Sequence, residues 1–180
     1  MKKLLMALAV ISVGTVASAA AFTWKTGTSN QVYLMNTSDR AANMTAYLFS
    51  TAAVSQSDVY DTFAAGTSIG TLTSKATATT SAQGAVTGSF EADAGDVFTG
   101  YFAIVTNVGG TDYLYISTEA TGTAPATGSA TLTFKEKATS QLAASTSSYS
   151  GAGWYAVPEP TSGLLMLLGM AGLALKRKRA

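Results

Sequence analysis

The sequence contains neither cysteine nor histidine. Without cysteine no disulfide can staple the fold, so stability must come from core packing. Without histidine the commonest general base and the commonest transition-metal ligand are missing, and no Ser-His-Asp or Cys-His nucleophile system can be assembled. Charge is scarce, at 12% of residues, and unevenly placed. Between residues 20 and 156 there are five cations (Lys25, Arg40, Lys75, Lys135, Lys137) against nine anions (Asp39, Asp58, Asp61, Glu91, Asp93, Asp96, Asp112, Glu119, Glu136). The overall charge of +1 therefore hides a mildly acidic body between basic ends. That balance argues against nucleic-acid binding, which needs clustered Lys and Arg.

What is present is clearest at the two ends. Met1-Lys2-Lys3 forms a positive start, residues 4–16 a Leu/Ala/Val run, and Ala17-Ser18-Ala19 an A-x-A cleavage site. This is a secretory signal peptide, 1–19, addressed to Sec-type export machinery and signal peptidase. Cleavage is expected after Ala19, with Ala19-Ala20-Ala21 offering a second register two residues later.

The C-terminal tail, 157–180, has three parts. Pro158-Glu159-Pro160 holds the backbone extended and accessible. Thr161 or Ser162 can cap an apolar helix over 163–175. At ~1.5 Å per residue that helix spans ~20 Å, short of a ~30 Å hydrocarbon core, so it anchors only if Thr161 and Ser162 enter the membrane and the basic residues snorkel. Lys176, Arg177, Lys178 and Arg179 then stay cytoplasmic by the positive-inside rule. In this order, the parts closely resemble the PEP-CTERM sorting signal of Gram-negative bacteria. Resemblance to that family implies a short transmembrane helix, recognition by an exosortase, and cleavage near Pro158, Glu159 and Pro160 that delivers the protein to the cell surface or extracellular polymer.

The body reads as all-β. Residues 22–25 open a first strand, and 31–35 and 44–50 carry apolar residues on both faces, as inner strands do. Residues 57–64 suggest one short helix with Ser57 as cap and Gly66 as stop. Residues 68–74 and 85–90 alternate as edge or half-exposed strands, with a small, polar loop over 75–83. The strongest local signal is a hairpin, in which 97–105 and 112–116 flank Asn107-Val108-Gly109-Gly110. Its aliphatic face is expected in the core and its tyrosines at a second sheet edge or in solvent. Residues 128–135 supply another strand. Seven or so short strands fit an antiparallel β-sandwich or jelly roll over 20–137. A Ser/Gly-rich spacer over 138–156 follows, in which Trp154-Tyr155 could be a last strand pair or, the favoured reading, sit at the membrane interface.

Candidate chemistry in the body is sparse. Glu91, Asp93 and Asp96 surround Gly95 and could chelate calcium, but they lack the full spacing of a calcium loop, and a turn into the next strand is the favoured role. Carboxylates for glycan hydrolysis could be drawn from Asp58, Asp61, Glu91, Asp93 or Glu119, with nothing in the sequence setting two across a cleft. Tyr101, Tyr113, Tyr115 and Trp24 could form a sugar-stacking face, although core packing is the commoner role for rings at strand spacing. The reading is an exported, noncatalytic protein of the cell envelope or extracellular matrix, with no cofactor. Its expected partners are the membrane, exosortase and extracellular polysaccharide. A carbohydrate-binding or adhesion module is the alternative, and a glycan hydrolase a more distant one.

Overall fold

Residues 20–27, 32, 34, 39–135, 144–145 and 149–156 are described by the computed structural model of this chain. They form ten strands: β1 (Ala20–Thr26), β2 (Thr45–Ser50), β3 (Ala76–Thr79), β4 (Thr87–Ala92), β5 (Val97–Val108), β6 (Thr111–Ile116), β7 (Ala120–Thr123), β8 (Ser129–Phe134), β9 (Ala144–Ser145) and β10 (Gly153–Ala156). One α-helix, α1 (Gln56–Ala64), and a 3-10 turn at Ile69–Thr71 lie between β2 and β3. The fold is predominantly β, as the alternation of the sequence implies. Among the described residues no helix is long and apolar enough to cross a membrane. The expected signal helix 1–19 and tail 157–180 lie outside them.

The strands form two sheets. One is three-stranded, in the order β4-β1-β8. The other is seven-stranded, in the order β3-β2-β5-β6-β10-β9, with β7 also paired to β5. Not every pair is antiparallel, which corrects the sequence expectation: β1 runs parallel to β8, and β10 parallel to β9. Parallel neighbours cannot be joined by a tight hairpin, and β1 meets β8 only across most of the length of the body.

The expected hairpin is β5 and β6. Gly109 (φ 63) and Gly110 (φ 90) take the two left-handed positions of its turn, where a side chain would be strained. Further along β5, the pairs Ala103↔Ile116 and Gly100↔Ala120 leave two residues facing three, so β6 passes into β7 through a bulge. Buried Ser117 closes it: its hydroxyl accepts the Phe102 N–H at 2.8 Å and its own N–H donates to the Phe102 carbonyl at 2.9 Å.

Alternation along these strands builds two cores, one on each face of the larger sheet. Phe22 and Trp24 of β1 with Leu132 and Phe134 of β8 meet Leu48, Phe102, Ile104, Tyr115 and Trp154 between the sheets. Each such fully buried side chain contributes ~1.5–3 kcal/mol. The indole of Trp24 lies on Gly88, its partner across β4; a Cβ there would come within 2.5 Å of Nε1, so only glycine admits the ring. On the opposite face Phe49, Tyr101, Leu114, Ile116 and Tyr155 are covered by Val59, Tyr60 and Phe63 of α1 and by Ile69.

Three local expectations change. The helix is capped by Ser55, not Ser57, because Ser55 and Asp58 exchange both bonds of a capping box, while the stop at Gly66 (φ 72) holds. Residues 68–74 hold the 3-10 turn rather than a strand, with Ser68 accepting the Gly70 N–H at 3.2 Å. The expected loop 75–83 contains β3, whose Ala76 and Ala78 pack on the inter-sheet core while Thr77 and Thr79 are exposed. The expected strand 31–35 lies outside the described residues except for Val32 and Leu34.

Candidate functional site

Pro158, Glu159, Pro160, Lys176, Arg177, Lys178 and Arg179 lie outside the described residues, as do Ala17 and Ala19. The segments that lead into both candidate processing sites are described, and both are strands.

At the C-terminal side, the segment expected to be a spacer carries β10. Gly153 to Ala156 pair antiparallel with Ile116 to Tyr113 of β6, and Tyr155 and Ala156 pair with β9 on the other edge. Trp154 and Tyr155 are 3% and 2% exposed, which places them in the protein interior and not at a membrane interface. Trp154 enters the inter-sheet core against Tyr115, with ring centroids 5.1 Å apart. Tyr155 points the other way, edge-on to Tyr60 of α1 at 5.0 Å. Two large rings on opposite faces of a four-residue strand fix it more firmly than its length suggests.

The residues just before β10 are clamped as well. The Tyr149 ring packs on Tyr155 at 5.8 Å, and its hydroxyl donates to Gln56 Oε1. Gln56 Nε2 in turn donates to the Ser117 carbonyl at 2.8 Å, so one amide joins the start of α1, the bulge and the C-terminal segment. The Tyr155 hydroxyl donates to the Gly151 carbonyl and accepts the Ser150 N–H at 3.1 Å. Burial pushes the Tyr149 phenol up to about 12, with smaller contributions from Tyr155 and Glu119. The Tyr149 phenol is therefore a neutral donor through the ordinary pH range. Gln56, Tyr60, Tyr149 and Tyr155 were not legible as a group in the sequence, since they come from a helix and from a polar stretch far along the chain, Gln56 and Tyr149 being 93 residues apart.

At the N-terminal side, β1 begins at Ala20. Ala20 is 4% exposed and pairs with Ala92; Ala21 pairs with Glu91 and donates its N–H to the Gly128 carbonyl at 2.9 Å. A cut after Ala19 leaves β1 whole, whereas a cut after Ala21 removes its pairs Ala20↔Ala92, Ala21↔Glu91 and Ala21↔Ser129.

The other candidates are not brought together. Asp96 accepts the Asp93 N–H through Oδ2 at 3.2 Å and returns its own N–H to the Asp93 carbonyl at 3.1 Å, which is a turn into β5. Among the described residues no three carboxylates, Glu91, Asp93 and Asp96 included, gather to hold a metal ion. The proposed sugar-stacking face does not exist as a surface: Trp24 and Tyr101 are fully buried, Tyr115 nearly so, and Tyr101 lies on the opposite face of the sheet from Trp24 and Tyr115. Both faces of the larger sheet are covered, so alternation sorts its tyrosines between two cores and not between core and solvent. Asp58 serves its capping box, and the bonds from the Ser55 hydroxyl and backbone hold its carboxyl below the usual carboxylate range.

No curated protein and no solved structure matches this chain. One family does match, over residues 156–179, starting at the last residue of β10. The described C-terminal strand therefore runs directly into a PEP-CTERM protein-sorting motif, the tag of exported proteins that an exosortase sorts.

Proposed function

We propose that the chain is a noncatalytic protein of the cell envelope or extracellular matrix, exported, anchored by helix 163–175 with 176–179 in the cytoplasm, and processed by an exosortase at Pro158-Glu159-Pro160. Its two sheets act as a β-sandwich body extending to residue 156. The observation that carries the reading is the junction itself: β10 is buried up to Tyr155, and the sorting motif starts at Ala156 with no spacer between. The body is thus cargo attached flush to its tag, and a cut beyond Ala156 leaves it intact. At the other end signal peptidase cleavage after Ala19 keeps β1 complete. The absence of His and Cys, and the structural engagement of Asp58, Asp93 and Asp96, favour a noncatalytic body.

Intact mass and terminal peptide mapping of the protein from its native host test this. The expected product starts at Ala20 and ends between residues 157 and 162. A variant with Pro158→Ala, Glu159→Ala and Pro160→Ala should keep residues 176–179 and stay in the inner membrane. Retention of 176–179 by both proteins would sink the processing reading.

A further inference from the structure

At the hairpin end of the α1-covered face a cleft of about 580 Å³ opens between the end of α1, the 3-10 turn and the tip of the β5–β6 hairpin. Its volume falls within the ~300–1,000 Å³ typical of small-ligand sites. Tyr47, Phe63, Ile69 and Val105 form its apolar part. Thr45, Thr67, Ser68, Thr111 and Asp112 form the polar part of its lining. None of the sugar-stacking candidates read from the sequence, Trp24, Tyr101, Tyr113 and Tyr115, belongs to it.

Two of these groups are held in place. The Tyr47 ring stacks on Phe49 at 6.4 Å and 21°, and its hydroxyl lies 3.1 Å from where a Cβ would sit on Gly70. Only half-buried, the ring is a fixed platform with part of its surface open. At the hairpin, Asn107 Nδ2 donates to Asp112 Oδ1 at 2.7 Å, while Asn107 Oδ1 accepts the Gly110 N–H at 3.1 Å. The turn therefore orients the Asp112 carboxylate and engages only one of its two oxygens.

We propose that this cleft binds a neutral oligosaccharide, with a sugar ring against Tyr47 and its hydroxyls on Asp112 and the surrounding threonines. A sugar offers the required pairing of one apolar C–H face with a hydroxylated edge, and a fixed aromatic ring beside a fixed acceptor matches both. Among the described residues no Lys or Arg lines the cleft, and Asp112 repels an anion, so acidic glycans and phosphates are disfavoured. An extended peptide fits less well, because β2, β5 and β6 all have strand partners on both sides and β2 and β5 present no open edge to it. The site stands independently of C-terminal processing.

The test is calorimetric titration of the full chain, in a detergent without a sugar headgroup, with cellotetraose, maltotetraose and laminaritetraose, and with tetragalacturonate as the anionic control. At least one neutral probe should bind, and tetragalacturonate should not. Tyr47→Ala and Asp112→Ala should each weaken that binding about tenfold, while Tyr47→Phe, which keeps the ring and the packing on Phe49, stays near the parent. Far-UV circular dichroism checks that each variant is folded. No binding of any neutral probe, preference for tetragalacturonate, or full affinity in folded Tyr47→Ala and Asp112→Ala would each overturn the proposal. A failure here leaves the terminal mapping of the native product unaffected, so the two readings fall separately.

Discussion

The two faces of the seven-stranded sheet are both covered, yet they are filled with different chemistry. Between the sheets the large side chains are mainly Phe and Trp, meeting ring to ring: Phe102 and Phe134 edge-on at 5.2 Å, Trp24 and Phe134 edge-on at 6.4 Å. Under α1, beside Phe49 and Phe63, are tyrosines whose hydroxyls bond backbone and amide groups: Tyr101 to the Val54 carbonyl at 3.0 Å, Tyr149 to Gln56, Tyr155 to Gly151. The difference follows from what covers each face. A sheet brings its backbone already paired, so hydrocarbon suffices against it. A helix, a turn and a terminal segment bring unpaired carbonyls, and a phenol fills space while supplying the donor.

The strongest way to break the comparison is Phe102→Ala. It should cost ~3–5 kcal/mol, because the ring touches Trp24, Tyr115 and Phe134 and the two sheets cannot both collapse into the space. Urea denaturation measures it, and a loss below ~1 kcal/mol would show that the inter-sheet core repacks freely.

Tyr101→Phe tests the other face. The ring volume is kept, so the cost should be smaller, ~1–3 kcal/mol for a buried carbonyl at Val54 left without its donor. The same face should respond to alkali. Burial raises the Tyr101 phenol, with Asp58 next, and raises Tyr149 to about 12. A phenol whose folded pKa is raised contributes stability in full below its unfolded value near 10 and loses it as pH rises toward the folded value. Urea midpoints should therefore fall between about pH 10 and 12, and fall less steeply in Tyr101→Phe and Tyr149→Phe. Equal slopes in the parent and both variants would refute the assignment.

The smallest effect is expected at the start of α1. Ser55→Ala should cost about 1 kcal/mol by removing the cap. The depressed Asp58 carboxyl contributes stability above its unfolded value of 3.8 and loses it as pH falls toward the lower folded one. Acid titration of the urea midpoint should show this contribution in the parent and much less of it in Ser55→Ala.

Much of the fold was legible where the signal is local. The β5–β6 hairpin declared itself by two apolar runs around Gly109-Gly110, and β2 by apolar residues on both faces, which the pairing with β3 and β5 and the two cores explain. β3 was hidden because Ala and Thr give too little contrast to mark an alternation. The cap was displaced by two residues because Ser55 and Ser57 both precede the same acidic turn, and only the reciprocal bonds with Asp58 tell them apart. Trp154-Tyr155 misled for a different reason. Two amphipathic rings beside a tail that resembles an anchor suit an interface equally well, and four residues are too few to show a period.

The sequence by itself determined the parts that can be read linearly: the sorting motif, with its Pro-Glu-Pro, apolar run and basic end, and the two-residue turn. Their physics is charge, run length and local backbone preference, none of which needs a folded partner. Only the tertiary structure decided that β1 runs parallel to β8, with Thr23 and Ser129 bonded across 106 residues, and that the tyrosines of the larger sheet belong to an interior. It also decided that the body continues to the edge of the sorting motif. Pairing between distant segments leaves no local trace, and where both faces of a sheet are buried, alternation reports that two faces exist without saying what covers either.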